Sequence, residues 1–490
     1  MATKLNWRKL GYGSGATIAA ISTVFALKSK DHEKADCDNK ELETSNKLFT
    51  KPKPLTGSLP LPETTVADFT NFSNSRLKDE NLKSAIEESR KLCKRVKNQL
   101  GLPGLTVGVS VNGKMVWQEG FGLADIENNV TMKPQHVMRI ASISKSMTMA
   151  MMGQFMEQGK IDIDKPIQTY LPSYPEKCFD GEKVTITTRH LLSHLSGIRH
   201  YVKKEDECDE KSPNKCKKCK AIIDQEIHGE FYLKDKFSSV EDSMKLFHND
   251  ELYHKPGTEY RYTTHGWTVV SAIIEKLADT KFPTHVRRMF NTWGLKNTYL
   301  DEQEPIIYNR VSYYTRRDYG EIINAPYVDN SYKWAGGGFL STVADLNQFA
   351  NILLYSMQTT EGPAAVCDKG LPKTPFLKQS TMQKMWTGNP ATAKSSSVDE
   401  LYGLGFVVGE PLRKCMFCKE RDLMIVSHSG GAMGASSILL LAFPKNNLDS
   451  GTSSKTTEVK GVVVAMITNL TGVGLTKTAQ EITNNFRILI

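Results

Sequence analysis

Nothing in this 490-residue sequence supplies a covalent framework. Its nine cysteines, Cys37, Cys93, Cys178, Cys208, Cys216, Cys219, Cys367, Cys415 and Cys418, fall at no regular spacing, so the core of so long a chain does not depend on disulfides. A basic patch with interleaved aromatics is also missing. The net charge is +9, but Lys4, Arg8, Lys9, Lys28 and Lys30 precede the first acidic residue, Asp31, and without those five it is +4. That balance is too mild to call for nucleic acid, and no nucleic-acid partner is expected. What remains is the composition of a soluble globular protein, long enough for one large or two intimately packed units plus tails.

The absence of acid before Asp31 has its own meaning. Arg8 and Lys9 precede a charge-free run of small and apolar residues, Leu10 to Leu27. This composition fits a mitochondrial presequence with a hydrophobic sorting segment over residues 1–30, and also a retained N-terminal anchor or a secretory signal. Residues 31–74 are charged and then rich in Ser, Thr and Pro, with few bulky apolar residues, and read as a flexible linker. Residues 75–490 form the folded unit. Within it, residues 203–242 are crowded with Lys, Glu and Asp and read as a solvated loop at the mouth of any site.

Local patterns give the elements. Leu77, Leu82, Ile86, Leu92 and Val96 recur at helical spacing. Leu105–Val111 and Lys114–Glu119, joined by Asn112-Gly113, form a hairpin with a type I′ turn signal. From Ser142 to about Leu354 the pattern is mostly helical, with Gly159 placed to close the first of these helices. Two apolar strands return at Ser437–Phe443 and Gly461–Ile467, and a last helix spans Thr476 to Leu489. Strands from both chain ends around a helical middle predict an α+β fold: an antiparallel sheet covered by helices, a mainly helical subdomain, and a site in the crevice between them.

The chemistry centres on Ser142-Ile143-Ser144-Lys145, followed by Met147, Met151, Met152, Phe155 and Met156. Residues three apart share a helix face, so the Ser142 hydroxyl and the Lys145 amine can meet. Serine needs a base to be nucleophilic, and lysine serves as one when burial or cationic neighbours depress its pKa. The apolar run supplies the burial. By itself S-x-x-K is a common accident, and a Ser-rich helix start with an incidental lysine is the competing reading.

Two later stretches add specificity: Pro256-Gly257-Thr258-Glu259-Tyr260-Arg261-Tyr262-Thr263-Thr264-His265-Gly266, and His428-Ser429-Gly430-Gly431 before the apolar run Ser437–Leu441. With S-x-x-K, in this order, they resemble the serine β-lactamase and penicillin-binding-protein superfamily. His190–Tyr201 and Pro326–Thr342 sharpen the likeness to its β-lactamase-like members in animal mitochondria. The resemblance runs from about residue 75 to the C-terminus. It implies that the Tyr262 phenol sits beside Ser142 as a second candidate base, and that the N–H groups of Gly431 and Ser142 form an oxyanion hole. It further implies that Gly430 and Gly431 admit a substrate backbone to the strand edge. Thr264 stands where the family often has Asn, and His428 where it has the lysine of K-T-G. The first change removes an amide that would hold a substrate amide. The second leaves a group able to be neutral or charged near pH 7 to steer a substrate carboxylate or hydroxyl. With no acid placed to activate a deacylating water, efficient β-lactam hydrolysis is not expected. His194 reads as part of a helix end capped by Gly197, and Ala335–Gly338 as a tight turn before a helix capped by Ser341 or Thr342.

The function implied is a serine peptidase or amidase on peptide or amide substrates, needing neither metal nor cofactor. The resemblance also implies the mitochondrial intermembrane space, self-assembly into filaments, and an influence on lipid metabolism, with inner-membrane association if the address segment is kept. A filament-forming protein with a vestigial site and a serine esterase are the rival readings. Cys216/Cys219 and Cys415/Cys418 could together bind zinc, form a disulfide clasp or do neither.

Overall fold

A computed structural model describes residues 79–201, 229–359, 375–393, 400–409, 423–445 and 459–490. The address segment, the whole linker, the charged stretch 202–228 and both C-x-x-C pairs lie outside these residues. Among the described residues no helix is long and apolar enough to cross a membrane.

The frame is an eight-stranded antiparallel sheet. In chain order its strands are β1 (Gly104–Val111), β2 (Lys114–Asp125), β3 (Val130–Thr131), β4 (Glu400–Tyr402), β5 (Val407–Gly409), β6 (Leu423–Ala432), β7 (Ala435–Pro444) and β8 (Val462–Thr468). In space the order is β4-β5-β6-β7-β8-β1-β2-β3. The expected hairpin is present: Asn112 and Gly113 both take positive φ, 51° and 78°, the conformation a type I′ turn demands. β1 then pairs with β8 in the register Leu105↔Thr468 to Val111↔Val462, so the two ends of the unit meet in mid-sheet.

An antiparallel strand with one wet face alternates apolar and polar residues, whereas β1 and β8 are buried at every position. The reason is that both faces are covered. Leu105, Val107, Val464 and Met466 pack with Leu92 of α1 (Asp79–Gln99) and with Ala479, Ile482 and Phe486 near the C-terminus. Val463, Ala465 and Ile467 face the other way, into the larger core that holds α2 (Ile143–Glu157). α2 is buried nearly all round, as its run of methionines requires. It ends as expected, with Gly159 at φ 67°.

Three short helices and loops shape the crevice beside α2. α3 (Thr188–Leu192) ends before His194, which itself takes the left-handed conformation at φ 60°, so the helix closes there and not at Gly197. α4 (His265–Ala278) begins just after Tyr262. The glycine run Ala335–Gly338 is a helical turn, α5 (Trp334–Gly337), and not only a tight turn. Thr342, not Ser341, caps the helix after it, its Oγ1 accepting the Asp345 N–H at 3.2 Å.

Candidate active site

Ser142 stands at the N-cap of α2, yet its side chain makes no capping hydrogen bond. A serine there normally gives its oxygen to an amide of the first turn; here the oxygen is left for the crevice. The residue before it, Ala141, is held at φ 48°, a left-handed conformation that costs an L-residue about 1–2 kcal/mol. This strained turn points the hydroxyl into a cavity of about 340 Å³, lined by Ser142, Tyr262, Thr264, Lys333, Tyr402, His428 and Gly431 among others. A wider groove of about 480 Å³, walled by Asn81, Ser84, Glu88, Asn484 and Arg487, holds neither Ser142 nor Lys145, so the chemistry is assigned to the smaller cavity.

Ser142 Oγ is 3.1 Å from Lys145 Nζ and accepts a hydrogen bond from the Tyr262 phenol at 2.7 Å. Lys145 Nζ also lies 2.5 Å from the Gly336 carbonyl and 3.3 Å from Thr264 Oγ1. Burial, helped by the charge of Lys333, drives the Lys145 pKa well below that of an ordinary lysine. A neutral amine has two N–H bonds and one lone pair. In that form Gly336 and Thr264 can take the two N–H bonds, and the lone pair can turn to the Ser142 hydroxyl proton. Tyr262 moves the other way: burial pushes its phenol well above the usual range, against the pull of its hydrogen bond to Ser142. Burial therefore favours the protonated phenol, which donates to Ser142 Oγ, over the phenolate.

Of the two states open to His428, its surroundings favour the neutral one. Burial first, and then the nearby Lys145 charge, lower its pKa to about 3. Its Nδ1 faces the Ser429 carbonyl at 2.7 Å and its Nε2 the Tyr402 hydroxyl at 2.9 Å. The imidazole is neutral at physiological pH, with Nδ1–H donating and Nε2 accepting. It carries no charge to offer a carboxylate.

The strand edge expected at the third motif exists for a specific reason. β5 pairs only with Ile425, Val426 and Ser427 of β6, leaving Ser429–Ala432 with β7 as their one strand partner. The two glycines of this edge differ. A methyl on Gly430 would come within 2.3 Å of the Ile140 carbonyl and of Ser437 Oγ, whereas one on Gly431 would meet nothing within 4 Å. Gly430 thus seats β6 against the serine turn, and Gly431 faces the cavity. Gly430→Ala is expected to destabilise the fold by about 1–3 kcal/mol through overpacking, and Gly431→Ala to leave the melting temperature unchanged while slowing labelling of Ser142. Thermal melts of the two variants decide this; equal destabilisation would contradict the assigned facings.

The sequence did not point to several lining groups. Lys333, 6% exposed, has its Nζ 4.9–5.3 Å from the ring centres of Tyr201, Phe231 and Tyr332. Burial and the charge of Arg139 bring it to about 7, against the pull of Asp301. The flanking aromatics of Tyr332-Lys333-Trp334 were the available signal. Phe231 comes from the stretch read as a solvated loop, whose end instead folds inward. Arg199 holds Glu230 through two bonds of 2.7 and 2.8 Å, and His265 lies 2.8 Å from the same carboxylate. Despite burial, these bonds from His265 and Arg199 hold Glu230 at about 2. Among the described residues that line the cavity there is no Asp or Glu, and no cluster of His, Cys, Asp and Glu could hold a metal ion.

A family model described as beta-lactamase matches residues 83–482. Serine beta-lactamase-like protein LACTB, mitochondrial, from Mus musculus, is 40% identical over 447 residues, 82% of this chain and 80% of that protein. Among solved structures, the octameric penicillin-binding protein homologue from Pyrococcus abyssi aligns with a TM-score of 0.58 and 20% identity, over 81% of this chain and 76% of its own. The D-stereospecific amidohydrolase from Streptomyces sp. aligns with a TM-score of 0.56 and 19% identity, over 82% of this chain and 98% of its own.

Proposed function

The chain belongs to the beta-lactamase family of serine hydrolases, and from that premise we propose that it is a peptidase or amidase working through an acyl-enzyme on Ser142. The observation that carries this reading is the placement of Ser142 Oγ between the Lys145 amine, whose pKa burial lowers, and the Tyr262 phenol. Lys145 takes the hydroxyl proton as Oγ attacks the substrate carbonyl carbon. The electron pair displaced onto the carbonyl oxygen is held by the N–H groups of Ser142 and Gly431, both on the cavity wall, with the positive end of α2 behind them. When the tetrahedral intermediate collapses, the C–N bond breaks and Tyr262 hands a proton to the leaving nitrogen. The proton stored on Lys145 makes good that loss. Water then attacks the ester with the same two groups as relay, since among the described residues no carboxylate lines the cavity. Thr264 orients Lys145, and the free edge Ser429–Ala432 receives an extended substrate backbone.

The amide preference draws support from the amidohydrolase of the same fold, and the setting from the mouse relative, whose name places it in mitochondria. Residence in the intermembrane space, assembly into filaments and an influence on lipid metabolism belong to the same proposal. They rest on the resemblance, with the octameric fold neighbour in favour of self-association.

Ser142→Ala is the test. It removes one oxygen that caps nothing, so the melting temperature should hold while covalent labelling by a fluorophosphonate probe and turnover of peptide amides fall to background. Labelling of Ser142→Ala at the wild-type rate would remove Ser142 from the chemistry.

A further inference from the structure

Tyr262 is placed with no ladder to hold it. Residues 259–263 belong to neither helix nor strand, yet the phenol has to stay 2.7 Å from Ser142 Oγ. A segment without regular structure is positioned by wherever its backbone N–H groups find acceptors, and here both neighbours of Tyr262 find the same residue. The Arg261 N–H donates to the His194 carbonyl at 3.0 Å, and the Thr263 N–H donates to His194 Nδ1 at 3.1 Å. The His194 ring itself lies against the Tyr262 ring, with centroids 4.2 Å apart and planes inclined by 32°. On its other side it meets Tyr402 edge-on at 4.7 Å, and Tyr402 bonds His428.

We propose that His194 is a positioning residue for the Tyr262 phenol, clamping the backbone on both sides of Tyr262 and backing its ring so that the hydroxyl stays on Ser142. This rests on the reading of Tyr262 as the proton relay. Three features of His194 fit a clamp better than a helix end. It is wholly buried, and it keeps a left-handed backbone at φ 60°, where glycine would be cheaper. Its Nε2 is a buried atom with no hydrogen-bond partner among the described residues. With Nδ1 accepting, the ring proton must sit on that unpartnered Nε2, a loss that the Thr263 bond and the ring contacts have to outweigh. Burial above all keeps the imidazole from protonating, so Nδ1 stays an acceptor.

The two parts of the clamp can be separated in the full chain. His194→Phe keeps a ring and loses the acceptor; His194→Asn keeps an acceptor and loses the ring. The readout is the second-order rate of fluorophosphonate labelling in wild type, Tyr262→Phe, His194→Phe and the double variant, with thermal melts to confirm folding. If His194 acts through Tyr262, His194→Phe should slow labelling about tenfold to a hundredfold in the wild-type background and less than about twofold where Tyr262 is already Phe. His194→Asn should recover part of the loss, and it carries the same comparison should His194→Phe fail to fold. Equal factors in both backgrounds, or wild-type labelling by both His194 variants, overturns the clamp and leaves Tyr262 as relay. Wild-type labelling by Tyr262→Phe alone removes the relay, and the clamp with it.

Discussion

Lys145→Met is expected to slow acylation of Ser142 by about 10²- to 10⁴-fold, the usual worth of a general base, and at the same time to make the protein harder to melt at neutral pH. The two effects have one cause. In the unfolded chain Lys145 is protonated up to about its ordinary 10.5, while in the fold burial and the charge of Lys333 favour the neutral amine. Folding at any pH between the depressed value and 10.5 must therefore release a proton, and the resulting cost is full below the depressed value and fades as pH rises towards 10.5. Methionine carries no proton to lose, so its stability advantage should be present at pH 7 and shrink towards pH 10. Wild-type labelling should climb with pH along an acid limb as Lys145 deprotonates. Lys145→Arg should lose the activity without gaining the stability, because guanidinium stays charged. Melts and probe kinetics across pH 6–10 test both halves; a Lys145→Arg variant labelled near the wild-type rate would end the assignment of the base.

The second large effect lies beneath the site. Arg139 Nε meets Asp301 Oδ2 at 2.6 Å, with the two side chains only 5% and 1% exposed. Asn330 donates to the same oxygen at 2.6 Å, and Arg139 Nη1 donates to the Met433 carbonyl at 2.7 Å. The pair therefore ties the strand leading into Ser142 to the turn after Gly431. Asp301→Ala leaves a buried guanidinium without its partner, which typically costs about 3–5 kcal/mol. Replacing both partners with apolar residues, Arg139→Met with Asp301→Leu, should restore much of the stability. Labelling should not return with it, because the bond to Met433 is still gone. An Asp301→Ala protein that melts with the wild type would show that the pair carries neither fold nor site.

What could be read from the sequence was what the chain decides locally. Asn112-Gly113 fixes its turn by the φ values those two residues tolerate, and Ser142 and Lys145 meet because three residues span nearly one helical turn. Gly159 ends α2 for an equally local reason. The rest depends on what the fold brings close. The charge on His428 is lost to burial, and the hydroxyl that its Nε2 meets belongs to Tyr402, 26 residues away. Likewise, the Gly336 carbonyl that orients Lys145 is 191 residues away, and no spacing rule joins them. His194 was read as helix punctuation because its sequence ends in Gly197, whereas the contacts that explain it run to residues 261–263. The stretch 203–242 looked solvated by composition, but Glu230 turns inward because Arg199 needs a carboxylate.

The meeting of β1 with β8 also governs how this protein can be made. Val111 and its partner Val462 are 351 residues apart. At about 5–20 residues per second of synthesis, β1 waits roughly 20–70 seconds on the ribosome before the strand beside it exists. Through that interval β1 and β2 form at most a hairpin, with the apolar face of Leu105, Val107, Val109 and Val111 uncovered and one open edge, the kind of nascent segment that associates with its neighbours. The barrier to folding is then dominated by long-range closure, which is slow. A nascent chain of this kind calls for a holding chaperone until its last 30 residues have emerged. A premature stop before Val462 would remove the centre of the sheet and leave an aggregating fragment instead of a weakened enzyme.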